Sequence, residues 1–447
     1  MQISFDYSNI MASKIGDDNG LKEDEIFSFE SKIKQIDTLI REHKVEGADF
    51  LGFLELPYQK KEDIHPIIDA ANKLAEMSDI HVVLGIGGSY LGAQALISAL
   101  LPAYYNELNR EKRNNRPRIY FEGNNLDPDS LGDLFEMLPQ QLPKDIHEAF
   151  TVNVISKSGT TMETAISFRL FKNLLKKIYG KEHNNYVIAT TDKSKGKLKN
   201  LSDIEGYKTF VIPDDVGGRY SVLTPVGLLP AAVAGIDIYE LINGAKDMAD
   251  RCKTNNLLEN PAYLYAIIQF LFYQKGKNIS IQTMWAKGLE YIGYWYDQLC
   301  AESLGKDEKG RVPITAVNTR DLHSRGQQLQ EGGRNIVITN IVVQNFKNDI
   351  PIEPTDDDLD ELNYLKGKNV SDILHSARFG ATRAYTEANR PNMDIMLEKV
   401  NPFTLGQLLY MLELATVLEG YLMEINPLNQ PGVEAYKKFM KEKLASS

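Results

Sequence analysis

Cysteine is nearly missing from this sequence: only Cys252 and Cys300 occur in 447 residues. Two isolated cysteines give neither a disulfide framework nor a zinc signature. They fit a reducing compartment and read as small buried hydrophobes. Histidine is scarce as well, with seven in the chain. No HxxxH or HExxH spacing exists, so a histidine-rich metal site is not expected. His43, His65, His147 and His183 stand in charged or polar, surface-like contexts. No stretch approaches the roughly 18 uninterrupted apolar residues of a membrane span. Met1 to Tyr7 shows no basic segment followed by an apolar run, so no signal peptide is read and a cytoplasmic location is expected. Positive charge is in deficit, with a net charge of -11. That excludes general nucleic-acid binding, which needs a positive field. An anionic ligand would have to be met by a few well-placed cations and helix N-termini.

What is present is ordinary for a globular protein: 43% hydrophobic and 25% charged residues. The length exceeds what one hydrophobic core usually holds, so two domains are expected. Short β-rich runs alternate with longer helical periods, a pattern of parallel sheets in an α/β fold. Strand candidates in the first half are residues 81–85, 118–122, 150–156 and 186–191, with a fifth at 210–213. In the second half they are residues 279–284, 312–318, 336–343 and 393–398, with helices at 228–249 and 403–424. The first 80 residues read as mainly helical, the polar run 192–208 as a linker, and the acidic stretch 348–360 as a solvated excursion.

Six stretches carry chemistry. Gly85-Ile86-Gly87-Gly88-Ser89-Tyr90-Leu91-Gly92 lies between a strand and a helix, where backbone N–H groups can approach an anion. It is neither a Walker A loop nor a dinucleotide fingerprint, and a tight structural turn is the alternative. Ser156-Lys157-Ser158-Gly159-Thr160-Thr161-Met162-Glu163-Thr164 places five hydroxyls and one ammonium after a strand. That is more than helix capping needs, and ligands of open α/β sheets bind at such strand ends. A phosphate site is the reading. In Asp214-Asp215-Val216-Gly217-Gly218-Arg219-Tyr220-Ser221 the guanidinium is a candidate for a developing oxyanion, against a plain salt bridge to Asp214 or Asp215. Glu302, in Cys300-Ala301-Glu302-Ser303-Leu304-Gly305-Lys306, is a candidate general base, although a lone surface glutamate reads the same. His323, in Asp321 to Gln327, is a candidate catalytic histidine because imidazole is the usual acid–base side chain near neutral pH, although a lone surface histidine reads the same. In Asn426 to Lys438, Pro431 starts a helix, Gln430 stands at its N-cap boundary, and Lys437 falls in its second turn; alone it reads as a surface helix.

Together these stretches resemble the glucose-6-phosphate isomerase family. Asp215-Val216-Gly217-Gly218-Arg219-Tyr220-Ser221-Val222-Leu223-Thr224-Pro225-Val226-Gly227 looks like one family signature, and Gly420 through Lys437 looks like the other. GIGGS, SKSGTT, ESLGK and LHSRGQ occur in the family's order, so the likeness spans most of the chain. Leu428 departs from it, standing where the family usually has an aromatic. The resemblance implies two doubly wound, mainly parallel-sheet, sugar-isomerase-type domains with a C-terminal helical segment. Residues 45–200 would form the smaller domain, and 1–44 with 201–447 the larger. It implies that Gly88, Ser89, Ser156, Lys157, Ser158, Thr161 and Thr164 bind the phosphate end of the substrate. It makes Glu302 the base between C1 and C2, Arg219 the partner of a cis-enediolate, His323 and Lys437 the ring-opening pair, and Gln430 a substrate-contacting amide. It implies no metal, no organic cofactor, and a homodimer whose active-site histidine comes from the partner subunit.

The chemistry suits such groups. One carboxylate over C1 and C2 can lift a proton from one carbon and return it to the other. A guanidinium stabilises the anionic intermediate without taking a proton. The unreactive phosphate orients the reacting end. A non-catalytic sugar-phosphate sensor would keep the GIGGS and SKSGTT loops but would not need Glu302, His323, Arg219 and Lys437. Acceptance of mannose 6-phosphate depends on pocket shape and stays open.

Overall fold

In a computed structural model that describes residues 3–446, the chain forms two five-stranded sheets. Both are mainly parallel, as expected. The strands, in chain order, are β1 (Ser4–Asp6), β2 (Ile80–Leu84), β3 (Arg118–Glu122), β4 (Phe150–Ile155), β5 (Val187–Thr191), β6 (Lys208–Val211), β7 (Ile279–Met284), β8 (Val312–Val317), β9 (Ile336–Val343) and β10 (Asn392–Leu397).

The first sheet has the order β3-β2-β4-β5-β6, all parallel. Its central strands β2, β4 and β5 are buried along their whole length. Continuous burial on both faces is what parallel sheets covered by crossover helices require. The strand order reverses direction between β2 and β4, which makes their carboxyl ends the switch point where open α/β sheets take ligands. The GIGGS loop follows β2 and the SKSGTT loop follows β4, so both stand at that crevice.

The second sheet has the order β1-β10-β9-β7-β8. β1 is antiparallel to β10, with Phe5 opposite Ile395. This three-residue strand lies in a stretch that reads as helical; its pairing is made by sequence-distant backbone and leaves no local pattern. The helix Pro402–Leu422 is buried on all sides. It crosses the helix Ile238–Arg251 so closely that a Cβ on Gly244 would lie 1.8 Å from Phe403 O, and one on Gly406 2.0 Å from Leu241 O. Only glycine permits that approach.

Three expectations are corrected. The helix anticipated over 228–249 is two helices, Pro225–Val233 and Ile238–Arg251. Gly235 at φ +85 breaks it, and Asp237 caps the second helix by accepting from the N–H groups of Tyr239 and Glu240. The run 192–208 is no linker: it holds the helix Lys197–Glu205, which carries the chain from β5 to β6. Its polar composition reflects one solvated helix face. His183, read as surface-like, is buried, with Nδ1 against Gly180 O and Nε2 3.3 Å from the Glu205 carboxylate.

Candidate active site

Three loops meet face to face beside the switch point. Gly87 adopts φ +56, and a Cβ there would lie 3.0 Å from Gln298 Nε2. A Cβ on Gly88 would lie 2.0 Å from Gly218 O, so the first glycine loop rests directly on the DVGGRY loop. On its other flank, Gly123 packs 3.6 Å from Gly85 N and 3.4 Å from Thr164 Cα, by the same measure. Backbone therefore runs without a gap from the hydroxyl-rich loop to Arg219.

The hydroxyl-rich loop is folded on itself. Ser156 Oγ accepts the Gly159 N–H at 3.0 Å, and Ser158 and Thr160 share a hydrogen bond of 2.9 Å. Gly159, at φ +67, abuts Leu198 so closely that a side chain there would strike its backbone. Ser156 and Thr164 are buried, Lys157, Gly159 and Thr161 are half-buried, and Ser158 is exposed. Ser89 is half-buried at the end of the 3-10 turn Gly87–Ser89. Lys157 donates to Pro213 O and Asp214 O, each at 3.0 Å, and stands 3.5 Å from the Asp214 carboxylate. Its ammonium thus ties the hydroxyl loop to the DVGGRY loop.

Arg219 is the centre of the site. It is 2% exposed. Nε donates to Ser303 Oγ at 2.7 Å, Nη1 to Gln430 Oε1 at 3.0 Å and to Glu302 Oε2 at 3.4 Å, and Nη2 to Pro427 O at 2.6 Å and Asn429 O at 3.2 Å. The guanidinium also stands over the Tyr220 ring. The salt bridge weighed as an alternative, to Asp214 or Asp215, does not form: Asp214 pairs with Lys157, and Arg219 pairs with Glu302. Glu302 lies near the end of the helix Glu290–Leu304, with its carboxylate about one-third exposed. Gln298, one turn earlier, donates to its second oxygen at 3.3 Å. A carboxylate held by one guanidinium and one amide, yet open on one side, can take and return a proton.

Arg219, Glu302 and Gln430 are therefore brought together from three distant stretches. His323 is not: it is exposed on the first turn of the helix Leu322–Glu331 and shares no hydrogen bond with those three among the described residues. Lys437 is half-buried in the helix Glu434–Ala445, which a 3-10 turn Pro431–Val433 precedes. Both cysteines are buried, and burial pushes their thiols up to about 12.

A profile of the family described as phosphoglucose isomerase matches residues 68–348 and 357–447. The chain belongs to the phosphoglucose isomerase family. Two curated relatives named glucose-6-phosphate isomerase bear this out. The one from Fusobacterium nucleatum is 44% identical over 98% of this chain and 95% of its own length. That from Clostridium novyi is 46% identical over 94% and 92%. A solved hypothetical protein from Thermus thermophilus superposes with a TM-score of 0.88 over 99% of this chain and 100% of its own, at 26% identity. A glucose-6-phosphate isomerase structure from Chlamydia trachomatis, at 20% identity, shares the fold with a TM-score of 0.77 over 95% and 86%.

Around Arg219 and Glu302 the sequence reading missed three contributors. Gln298 could have been found from its i−4 spacing to Glu302 on one helix face. Ser303 and Lys306 lie inside the ESLGK stretch, but nothing local marks them as partners of Arg219 and Asn426.

Proposed function

We propose that this chain is an aldose–ketose isomerase that interconverts D-glucose 6-phosphate and D-fructose 6-phosphate by ring opening and a cis-enediolate. The curated relatives carry that activity in their name across nearly the full chain. The observation that carries the mechanism is the 3.4 Å contact between Arg219 Nη1 and Glu302 Oε2, with Gln430 on the same nitrogen. Glu302 moves the proton between C1 and C2. Arg219, fixed by five acceptors, holds a positive charge beside Glu302, where it offsets the negative charge that develops on the enediolate oxygens.

Gly88, Ser89, Ser156, Lys157, Ser158, Thr161 and Thr164 take the phosphate. Five of those seven offer hydroxyls at the switch point, and Lys157 adds a charge. His323 and Lys437 open the ring. The exposure of His323 supports its service in the site of a second copy, in a homodimer. The helix Val370–Glu387, which packs beside the His323 helix, leaves Phe379 61% and Val370 53% exposed, apolar surface that a second subunit would cover. The two unpaired buried thiols suit the reducing cytoplasm.

The test is a coupled assay in which fructose 6-phosphate is supplied and glucose 6-phosphate is read through its dehydrogenase, with EDTA present. Turnover is expected from the unaltered chain and a loss of at least about 10²-fold from Glu302→Gln. Near-normal turnover in that variant would remove Glu302 as the base.

A further inference from the structure

Residues 426–430 form a strap beside Arg219, and two cations hold it. Arg219 takes the carbonyls of Pro427 and Asn429 and the side chain of Gln430. Lys306 takes what precedes them. Its Nζ donates to Asn426 O at 2.6 Å and to Ser303 O at 2.9 Å. Ser303 is the residue whose hydroxyl accepts Arg219 Nε, and its neighbour is Glu302. The lysine thus joins the end of the Glu302 helix to the beginning of the strap that carries Gln430. Inside the strap, Leu428 N–H donates to Asn426 Oδ1 at 2.9 Å, so the fixed Asn426 also sets the path of the next residues.

The geometry points to Lys306 as a positioning residue: its ammonium clamps the Asn426 carbonyl to the Ser303 carbonyl and so fixes Gln430 beside Glu302 and Arg219. This rests on the isomerase reading.

The environment of Lys306 adds a pH dependence. Half-burial and the nearby Arg219 charge pull its pKa down to about 8, against the opposing pull of Glu302 and Asp307. The groups that face it are Arg219 from the DVGGRY loop, Glu302 and Asp307 from its own stretch, and Glu46, Tyr421 and Glu424 around the adjoining cavity of about 580 Å³. Below pH 8 the ammonium makes charge-assisted bonds, roughly twice as strong as neutral ones. Above pH 8 the clamp weakens.

Two readings test this, one through activity and one independent of it. In the coupled assay, Lys306→Met should lower kcat by up to about 10²-fold, the scale of a misplaced catalytic constellation, with little change in KM because the phosphate loops are elsewhere. Lys306→Arg should restore most of the rate and move the alkaline fall of kcat from near pH 8 to higher pH. Unaltered kcat in Lys306→Met, or an alkaline limb that coincides in Lys306→Arg and the unaltered enzyme, would overturn the clamp. Independently, hydrogen exchange read by mass spectrometry should speed up at residues 426–430 in Lys306→Met and stay slow in β2. Unchanged exchange of the strap would overturn the clamp whatever the activity. An unaltered enzyme that does not isomerise, with a strap loosened by the substitution, would sink the isomerase reading alone.

Discussion

The α-carbon of Gly88 faces the carbonyl of Gly218 so closely that a methyl group on Gly88 would lie 2.0 Å from that oxygen. The two loops belong to stretches 130 residues apart, and their contact decides where Arg219 begins. Gly88→Ala must push them apart. Overpacking of this kind costs about 1–3 kcal/mol. The expected outcome is a folded enzyme with a lower denaturation midpoint and a disproportionate loss of kcat, because Arg219 moves with Gly218. Denaturant titration and the coupled assay, run on the same preparation, check it. Unchanged turnover would mean that the Arg219 position does not depend on this contact.

Arg219 serves five acceptors with one planar fork. A lysine there keeps the charge but offers a single point of donation. Arg219→Lys is expected to lower kcat by about 10²–10³-fold, the range seen when one preorganised donor is lost. It should also lower thermal stability, since Pro427 O and Ser303 Oγ are left short of donors in a buried place. Steady-state kinetics and thermal unfolding measure the two effects separately.

Asp297 sits in the same helix as Glu302. One of its oxygens accepts Thr315 Oγ1 at 2.8 Å, and the other is buried with no partner. Burial pushes its carboxyl up to about 6. The folded protein therefore holds this proton more tightly than the unfolded chain does. Stability falls as pH climbs from about 4 to 6 and stays reduced above that. At about 1.4 kcal/mol per pH unit, the reduction reaches at most roughly 3 kcal/mol. Asp297→Asn keeps an acceptor for Thr315 and removes the ionisation. It should raise the unfolding temperature at pH 7.5, with an advantage that shrinks to nothing near pH 4. An advantage that is equal at both pH values would show that Asp297 is not the cause.

Much of this was legible from the sequence, for reasons that differ by element. The central strands β2, β4, β5 and β9 are legible as mainly apolar runs because they are buried along their whole length, as parallel strands covered on both faces are. The loops of the site are visible because glycines and hydroxyls concentrate at strand ends. β1 was not legible: Ser4–Asp6 is a strand only because β10 accepts it as an edge. The single helix read over 228–249 failed at Gly235, whose positive φ ends one helix inside an unbroken apolar stretch. In the site, Glu302 and Arg219 could each be proposed from their neighbours. That Arg219 would pass over Asp214 and Asp215, close in sequence, and reach Glu302 and Gln430 is a fact of tertiary packing that no spacing records. Lys306 was invisible for the same reason: its partner is a backbone carbonyl 120 residues away.

The strap has one more consequence, which concerns synthesis. A ribosome delivers this chain from its first residue onward, and the glycine loops, the hydroxyl loop, Arg219 and Glu302 all emerge before residues 427–430. Until those last residues arrive, the guanidinium of Arg219 lacks three of its five acceptors. A buried cation without its partners is costly, so the DVGGRY loop has reason to stay loose while the chain is still being made. The site is thus finished late, and a truncated translation product that stops before Pro427 would hold most of the fold and Glu302, but an Arg219 without the acceptors that fix its place.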